Sequence, residues 1–233
     1  MSDCCRAAPC EEVFGSRTAE GDLHEYLSHG LGTIETRMLD AIPPLVVAGA
    51  RRVLEIGGGV GALQAELVLK GASSGEVIEL VGAYEPYARR LATKLGIGDR
   101  TSFRVADVIE NPQQVQDADI VVMNRVVCCS PDGLRLTAVA AGLTRQVLAI
   151  SYPRSLAILR LMQRLQEPFA RLFRRRYRFY IHDARAIRTA ATAAGMSLQA
   201  AGHGAFWEYA VFAMPGSPMA PAATRAPGER SSP

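Results

Sequence analysis

The stretch Arg52–Gly61 constrains the fold of this chain more than any other segment, and it runs Arg-Val-Leu-Glu-Ile-Gly-Gly-Gly-Val-Gly. Its apolar residues predict a short buried strand, its glycines permit a tight turn, and a helix is predicted from Ala62 to Lys70. Glycine lets bare backbone approach a ligand, and a helix N-terminus offers unpaired N–H groups. The unit is therefore typical of proteins that hold a nucleotide-like ligand.

Strands and helices are predicted to alternate beyond this unit. Strands are expected at 52–56, 76–80, 101–106, 119–123 and 146–151, with helices at 62–70, 83–95 and 134–143 and a short turn or helix at 111–116. Two further strands, at 198–203 and 206–214, are joined by a tight turn at Gly204. The segment 119–123 is continuously apolar, as expected of a buried parallel strand. This order predicts an α/β fold with a parallel sheet and helices on both of its faces.

The composition is that of a globular protein. The 233 residues are enough for one domain with a core, and 48% of them are hydrophobic. A net charge of +3 is weak support for nucleic-acid binding, and no apolar run reaches the roughly 18–20 residues that span a bilayer. Because the first 17 residues lack an apolar signal core, we expect a cytoplasmic protein. We expect it to be a monomer or a homodimer.

Four segments are predicted along the chain. They are a flexible cysteine-containing N-terminus (1–19), a helical cap (20–50), a ligand-binding domain (51–214) and a disordered proline-rich tail (215–233). Within 20–50, two apolar stripes separated by Gly30 and Gly32 predict helices, the second disturbed at Pro43-Pro44. These helices precede the first strand, so they either cover the ligand site or only pack on the sheet.

A helical insert is predicted at 155–182, after the fifth strand. Its first part, Ser155–Phe173, has an apolar stripe and is expected to be interrupted by Pro168. Tyr177–His182 is predicted to be extended, with Tyr180 and His182 on the same face. A helix follows from Asp183, the expected N-cap, to Gly195.

Three polar residues lie where strands of the predicted sheet end. Glu79 ends the second strand about 20 residues beyond the glycines, where an acid can accept hydrogen bonds from both ribose hydroxyls. Asp107 follows the third strand, where a carboxylate can reach an adenine amino group. Asn124 ends the fourth strand. Open α/β sheets bind their ligands at this carboxyl edge, so the three positions predict one site.

These motifs together resemble those of the class I S-adenosylmethionine-dependent methyltransferases. The pattern Glu-x-Gly-x-Gly-x-Gly at 55–61 differs from the Gly-x-Gly-x-x-Gly of nicotinamide proteins, because neither Leu63 nor Gln64 is small. The resemblance covers about 23–214 and implies a Rossmann-like, seven-stranded, mostly parallel sheet with an antiparallel last strand. It also implies S-adenosylmethionine as cofactor, with glycines along its methionine and ribose, Glu79 on the ribose, Asp107 and Val108 on the adenine, and Asn124 beside the sulfonium. The implied cofactor-binding residues are Glu55, Gly57, Gly58, Gly59, Gly61, Glu79, Leu80, Ala106, Asp107, Val108, Asn124 and Arg125.

A second resemblance concerns layout alone. The segment Leu148–Pro153, the helix after it and Arg178–His182 are similar in arrangement to magnesium-protoporphyrin methyltransferases, which also carry a helical insert and a Tyr-x-His segment after the fifth strand. The segment Asn124–Asp132 departs from that family. The similarity therefore predicts topology and not substrate.

The five cysteines are Cys4, Cys5, Cys10, Cys128 and Cys129, and their odd number and spacing differ from a secreted disulfide framework. Cys128 and Cys129 follow the fourth strand, where the resemblance places the methyl acceptor, so both are candidate substrate residues together with Tyr180. The N-terminal cysteines would join them if the first helices formed a lid. Such a thiolate cluster suits soft metal or metalloid ions. The alternative is that Cys128 and Cys129 are small buried residues in the core.

Two further side chains are candidates for catalysis. His182 could act as a general base for an oxygen or nitrogen acceptor, or it could pack at the end of its segment. Tyr26 could close over the cofactor. The basic stretch 171–178 is either a solvated helix end or a contact for an acidic substrate or an anionic membrane surface.

The leading prediction is methyl transfer to a small apolar or aromatic acceptor by in-line displacement. The activated donor leaves the protein mainly the task of aligning the reactants and excluding water. The alternatives are a thiol-rich soft-metal or metalloid-binding protein or a metalloid methyltransferase that uses Cys128 and Cys129, a nicotinamide oxidoreductase, and an interaction module that keeps the fold without activity. No resident metal and no nucleic-acid partner are expected.

Overall fold

A seven-stranded sheet is the centre of the computed structural model, which describes the backbone of residues 10–172 and 176–219 and the side chains of 10–166 and 176–219. The strands are β1 (Arg52–Ile56), β2 (Ser74–Glu79), β3 (Thr101–Val105), β4 (Ala118–Asn124), β5 (Thr144–Pro153), β6 (Ser197–His203) and β7 (Trp207–Ala213). Their order across the sheet is β3-β2-β1-β4-β5-β7-β6. The first five strands are parallel, and β7 runs antiparallel to both β5 and β6, which confirms the expected topology.

Helices surround this sheet. They are α1 (Ser16–His29), α2 (Thr33–Asp40), α3 (Pro44–Gly49), α4 (Ala62–Leu69), α5 (Glu85–Lys94), α6 (Gly133–Gly142), α7 (Ala157–Leu172) and α8 (Ala184–Thr192). Short 3-10 helices follow β2, β3 and β4. The alternation of strand and helix from β1 to β5 agrees with the predicted order.

Two apolar cores lie on opposite faces of the sheet because side chains alternate along each strand. Val53 and Ile120 face a core formed with α2, α3 and α4. Leu54 and Val121, each one residue further along its strand, face a core formed with α6 and α8. Every residue of β4 except its last, Asn124, is buried. This two-sided burial agrees with the continuous apolar sequence of 119–123.

Helix α1 lies over the turn that follows β1. Its buried Leu23 packs against Val60 and Tyr84 in a third apolar cluster. Two tyrosine hydroxyls fasten the helix to the domain: Tyr84 donates to Asp22 at 2.8 Å, and Tyr26 donates to Glu66 at 2.9 Å. The N-terminal helices therefore cover the carboxyl edge of the sheet.

The N-terminal prediction requires one correction, at Ser16–Ala19. Helix α1 begins at Ser16, and Ala19 is fully buried, so the expectation of irregular chain through Ala19 is wrong there. Burial against the domain, which local sequence does not reveal, accounts for this order. Pro44 begins a separate helix, α3, because proline is well accommodated at the first helical position. Residues 1–9, with Cys4 and Cys5, lie outside the described residues.

The insert differs from its prediction at two places. Helix α7 continues through Pro168 to Leu172, so the expected interruption is wrong: a proline removes one backbone hydrogen bond, and the adjacent turns keep the helix continuous. Tyr177–His182 forms no strand, because its amides bond elsewhere, for example Tyr180 N to the Cys128 carbonyl at 2.8 Å. Asp183 is the N-cap of α8 and accepts from Arg185 N and Ala186 N, as predicted.

The beginning of the C-terminal tail is packed on the domain. Ser217 is buried, and Met219 packs against the core under α2 and α3, so the disorder predicted from residue 215 is wrong for 215–219. The rest of the tail, 220–233, lies outside the described residues. In the described part of the chain, none of the helices has the length and apolar character needed to cross a bilayer.

Candidate functional site

A cavity of about 540 Å³ lies between the N-terminal helices and the carboxyl edge of the sheet. Its volume falls within the roughly 300–1,000 Å³ typical of small-molecule sites. The walls come from α1, the glycine turn, the ends of β2, β3 and β4, and the loop after β4. The cavity thus lies where open α/β sheets bind ligands.

The glycine turn has a backbone that other residues adopt poorly. Gly57, Gly59 and Gly61 have φ angles of 64°, 55° and 78°, in the left-handed region. A Cβ atom on Gly57 would overlap the side chain of Val126, in the loop after β4. These glycines therefore let the turn pass close to that loop, and Gly57, Gly58 and Gly59 line the cavity.

The buried side chain of Glu55 stabilises the first turn of α4. Its side chain is buried, and Oε2 accepts a hydrogen bond from Gln64 N at 2.8 Å. Burial raises the pKa of this carboxyl from 4.5 to about 8, against the lowering effect of its backbone hydrogen bonds. Glu55 also lines the cavity wall, so one residue serves both the helix and the cavity.

Glu79 bridges the end of β2 and the glycine turn. Its Oε2 accepts from Gly59 N at 3.1 Å, and its Oε1 accepts from Leu80 N at 2.8 Å. Burial raises the pKa of the carboxyl, while these backbone donors oppose the shift. The carboxylate lines the cavity beside Leu80, in a position to receive hydroxyl groups of a ligand.

Asp107 lies after β3, with one oxygen engaged locally. Its Oδ1 accepts from Ile109 N at 2.9 Å and from Glu110 N at 3.3 Å, which shapes the following turn. Ala106, Asp107 and Val108 line the cavity. The turn therefore presents both a carboxylate and apolar side chains to a bound ring.

A polar network closes the β4 end of the cavity. The Ser151 hydroxyl donates to Asn124 Oδ1 at 2.5 Å and accepts from Arg125 N at 3.0 Å. Asn124 Nδ2 donates to Glu35 Oε1 at 3.1 Å, and the Arg125 guanidinium contacts the same oxygen at 2.7 Å. Helix α2 is thereby tied to the ends of β4 and β5.

Tyr26 and Cys129 also line the cavity, on the side of α1 and of the loop after β4. The pKa of Cys129 is lowered by hydrogen bonds from the Cys128 thiol and then from the Tyr177 hydroxyl, at 3.9 and 3.3 Å. Cys128 is buried, is not part of the cavity lining, and has a raised pKa, because of its hydrogen bond to Cys129 and then its burial. Cys10 lines the cavity as well.

His182 and Tyr180 lie away from the cavity. His182 Nε2 is 2.9 Å from the Ser130 carbonyl oxygen, and its ring stacks on that of Tyr180 with centroids 6.2 Å apart. Neither residue belongs to the cavity lining. The two side chains were predicted to share a face of an extended segment; their rings stack, and the segment that carries them is not a strand.

Acidic side chains outnumber basic ones in the cavity lining. The carboxyl groups that line it are Asp22, Glu25, Glu35, Glu55, Glu79 and Asp107, of which Glu55, with its pKa raised to about 8, keeps its proton at neutral pH, whereas Arg125 is the one lysine or arginine among the described lining residues. Such a lining favours a ligand that carries positive charge. In the described part of the chain, no group of three or more His, Cys, Asp or Glu side chains could hold a metal ion.

Sequence reasoning missed Glu35, Asp22 and Ser151. One signal was present for Glu35, which shares the helical face of Met38, Leu39 and Ile42, so that a carboxylate interrupts an apolar stripe. Ser151 carried no such signal, because its partner Asn124 lies 27 residues away on another strand.

The fold is shared with solved methyltransferases. Magnesium protoporphyrin IX methyltransferase from Synechocystis with bound S-adenosylmethionine aligns with a TM-score of 0.61 and 16% identity, over 89% of this chain and 90% of that one. The chain has the class I methyltransferase fold. An O-methyltransferase family 2 protein from Planctomyces limnophilus in complex with apigenin aligns with a TM-score of 0.63 and 17% identity, over 85% of this chain and 61% of that one.

The methyltransferase fold does not by itself determine the reaction. A 4+2 cyclase aligns nearly as well, with a TM-score of 0.59 and 13% identity over 78% of this chain and 80% of that one. The sequence matches no protein-family model. It matches no curated protein either. Function must therefore be argued from the cavity itself.

Proposed function

We propose that this protein binds S-adenosylmethionine in the acidic cavity and transfers its methyl group to a small molecule. The observation that carries the proposal is the combination of a left-handed glycine turn with a partly buried carboxyl group, that of Glu79, hydrogen-bonded to that turn at the end of β2. The excess of carboxylates in the lining suits a cationic sulfonium.

The residues proposed to bind the cofactor form three groups along the carboxyl edge of the sheet. Gly57 and Gly59 line the cavity and would allow backbone to approach the ligand, Gly61 lies outside the lining at the start of α4, and Glu79 would receive the ribose hydroxyls. Asp107 and Val108 would hold the adenine. The wider contact set proposed is the one that the resemblance implied, with Glu55, Gly58, Leu80, Ala106, Asn124 and Arg125.

S-adenosylmethionine, when bound, supplies a methyl group already activated by the positive sulfur. What remains for the protein is to orient an acceptor in line with that group and to exclude water. Tyr26, on α1, would close the cavity from above. Because His182 is bonded to the Ser130 carbonyl and lies outside the lining, the proposal assigns no proton transfer to it.

The acceptor is proposed to be small and apolar or aromatic. Phe14, Leu31 and Val126 contribute apolar lining on the side of the cap and of the loop after β4. The soft-metal alternative has less support, since Cys10 and Cys129 line the cavity but the described residues form no three-ligand group. A nicotinamide cofactor is disfavoured by the glycine spacing and by the negative charge of its phosphates.

The decisive test is calorimetric titration with S-adenosylhomocysteine, S-adenosylmethionine and NADH. We expect binding of the first two and not of NADH. Glu79→Gln should weaken binding by roughly tenfold or more, because hydrogen bonds to a charged group are worth about 1.5–3 kcal/mol. Glu110→Gln is the matched control, since Glu110 is exposed and lies outside the lining. A folded protein that binds neither adenosyl compound would refute the proposal.

A further inference from the structure

The ion pair between Glu35 and Arg125 combines both signs of charge at one end of the cavity. Glu35 comes from α2 and Arg125 from the loop after β4, and both line the cavity. Arg125 is joined to Glu35 through a single carboxylate oxygen, Oε1, at 2.7 Å. Asn124 donates to that same oxygen. The other carboxylate oxygen is left for a different partner.

Glu35 Oε2 has no hydrogen-bond partner among the described residues, although the side chain is only 8% exposed. A buried carboxylate oxygen without a donor is energetically unfavourable, because it has lost its bonds to water and gained none in return. Gly32 lies beside it, and a Cβ atom on that residue would be 2.6 Å from Oε2. Position 32 therefore accommodates only a residue without a side chain next to this oxygen.

Arg125 is held in a conformation that costs energy. In the described part of the chain it is the one non-glycine residue with positive φ, at 57°. Its guanidinium lies over the Trp207 ring, 4.9 Å from the centroid, which restricts where the charge can point. Backbone strain of this kind persists where the surrounding structure imposes it, and it is frequent at binding sites.

The order of strands determines which end of the donor reaches this pair. Asp107, Glu79, the glycine turn and Asn124 follow β3, β2, β1 and β4, which are successive neighbours in the sheet. They extend over three strand spacings, roughly 14 Å. The acids at the β2 and β3 ends suit adenosine and would repel a carboxylate. The amino-acid end of the donor must then point towards β4, where the lining contributes the guanidinium of Arg125.

We propose that Glu35 and Arg125 bind the zwitterionic amino-acid group of the methyl donor. Arg125 receives its carboxylate, and Glu35 Oε2 accepts from its ammonium. This rests on the proposed function, and it assigns a role in donor recognition to a residue of the N-terminal cap. Closure of the cap and binding of the donor are thereby coupled through one side chain.

The test compares two ligands that differ only at this end. S-adenosylhomocysteine carries the amino-acid group, whereas 5′-methylthioadenosine keeps the adenosine and thioether without it. In calorimetric titrations, Glu35→Gln should weaken binding of S-adenosylhomocysteine by roughly tenfold or more and change binding of 5′-methylthioadenosine by less than twofold. Asp40→Asn is the control, because Asp40 lies on the same helix in an exposed pair with Lys70.

The outcomes separate the two proposals. Equal losses for both ligands, or equal affinities of the two ligands for the unchanged protein, would overturn the role of Glu35 and Arg125. Failure of the unchanged protein to bind either ligand would refute the proposed function itself. Should Glu35→Gln not fold, Arg125→Gln is measured instead, and it should show the same selective loss.

Discussion

At the residue scale, Glu55 shows how burial changes the chemistry of a single carboxyl. It lies near the C-terminal end of β1, accepts from the first turn of α4, and is almost completely removed from water. Burial raises its pKa to about 8, so the folded protein retains a proton that the unfolded chain releases above about pH 4.5. Because the folded state binds the extra proton, the contribution of Glu55 to the free energy of unfolding depends on pH. It is fully present below pH 4.5 and is lost as the pH rises to about 8.

Glu55→Gln should therefore gain stability relative to the unchanged protein as the pH increases. Glutamine does not ionise and keeps an oxygen for Gln64 N. Between pH 5 and pH 8 the difference in free energy of unfolding should move in favour of Glu55→Gln by an amount on the order of a few kcal/mol. Calorimetric melting at pH 5, 6.5 and 8 measures it, with Glu110→Gln as the exposed control. A difference that stays constant over this range would contradict the prediction.

At the scale of elements, the turn between β1 and α4 depends on contact with the loop after β4. Gly57 and Gly96 have nearly the same positive φ, 64° and 67°. A Cβ on Gly57 meets Val126, whereas a Cβ on Gly96 has nothing within 4 Å. The same substitution made at each of the two glycines therefore separates the energetic cost of backbone strain from the cost of steric overlap.

Gly96→Ala should cost about 1–2 kcal/mol from the left-handed backbone alone. Gly57→Ala should cost about 1–3 kcal/mol more, because of the overlap with Val126. In a Val126→Ala background that excess should be reduced, because the closest overlap, with Cγ2, is removed and only the approach to the Val126 Cβ at 2.9 Å remains. Urea unfolding of the four combinations at Gly57 and Val126 provides the cycle. The absence of any coupling between the two positions would show that the turn is not limited by this contact.

At the scale of the whole molecule, the N-terminal cap and the sheet form the cavity together. Helix α1 is fastened through Tyr84 to Asp22 and through Tyr26 to Glu66. Helix α2 is fastened through Glu35 to Asn124 and Arg125. A ligand in the cavity contacts both parts, so its binding energy should stabilise both.

Tyr84→Phe should accelerate amide hydrogen exchange in α1 by roughly tenfold and leave β1 and β4 unchanged, because the lost hydrogen bond tethers only the cap. Saturating S-adenosylhomocysteine should slow exchange in the cap and at the sheet edge together. Tyr87→Phe is the matched control, as its hydroxyl has no hydrogen bond among the described residues, and Tyr87 lies in the same apolar cluster. Exchange in α1 that is insensitive to Tyr84→Phe would contradict the tether.

The fold could be predicted because its signals are local. Alternating apolar residues place Val53 and Leu54 on opposite faces, and the glycines after Ile56 leave few conformations other than a tight turn. The N-cap of α8 at Asp183 could also be predicted from local sequence. Two features could not be predicted: the continuation of α7 through Pro168 and the helical order of Ser16–Ala19. There, neighbouring turns and tertiary burial compensate for unfavourable local sequence.

The sequence by itself determined the α/β architecture, the glycine turn and the acids at the strand ends, since these depend on side-chain period and backbone freedom. Only the tertiary structure decided which distant residues meet. Glu35 reaches Asn124 across 89 positions of sequence, and Arg125 lies over Trp207. Such contacts follow from the packing of α2 on the sheet and from the antiparallel return of β7, which no local pattern encodes. Because of that packing, His182 lies outside the cavity lining and Glu35 lies within it.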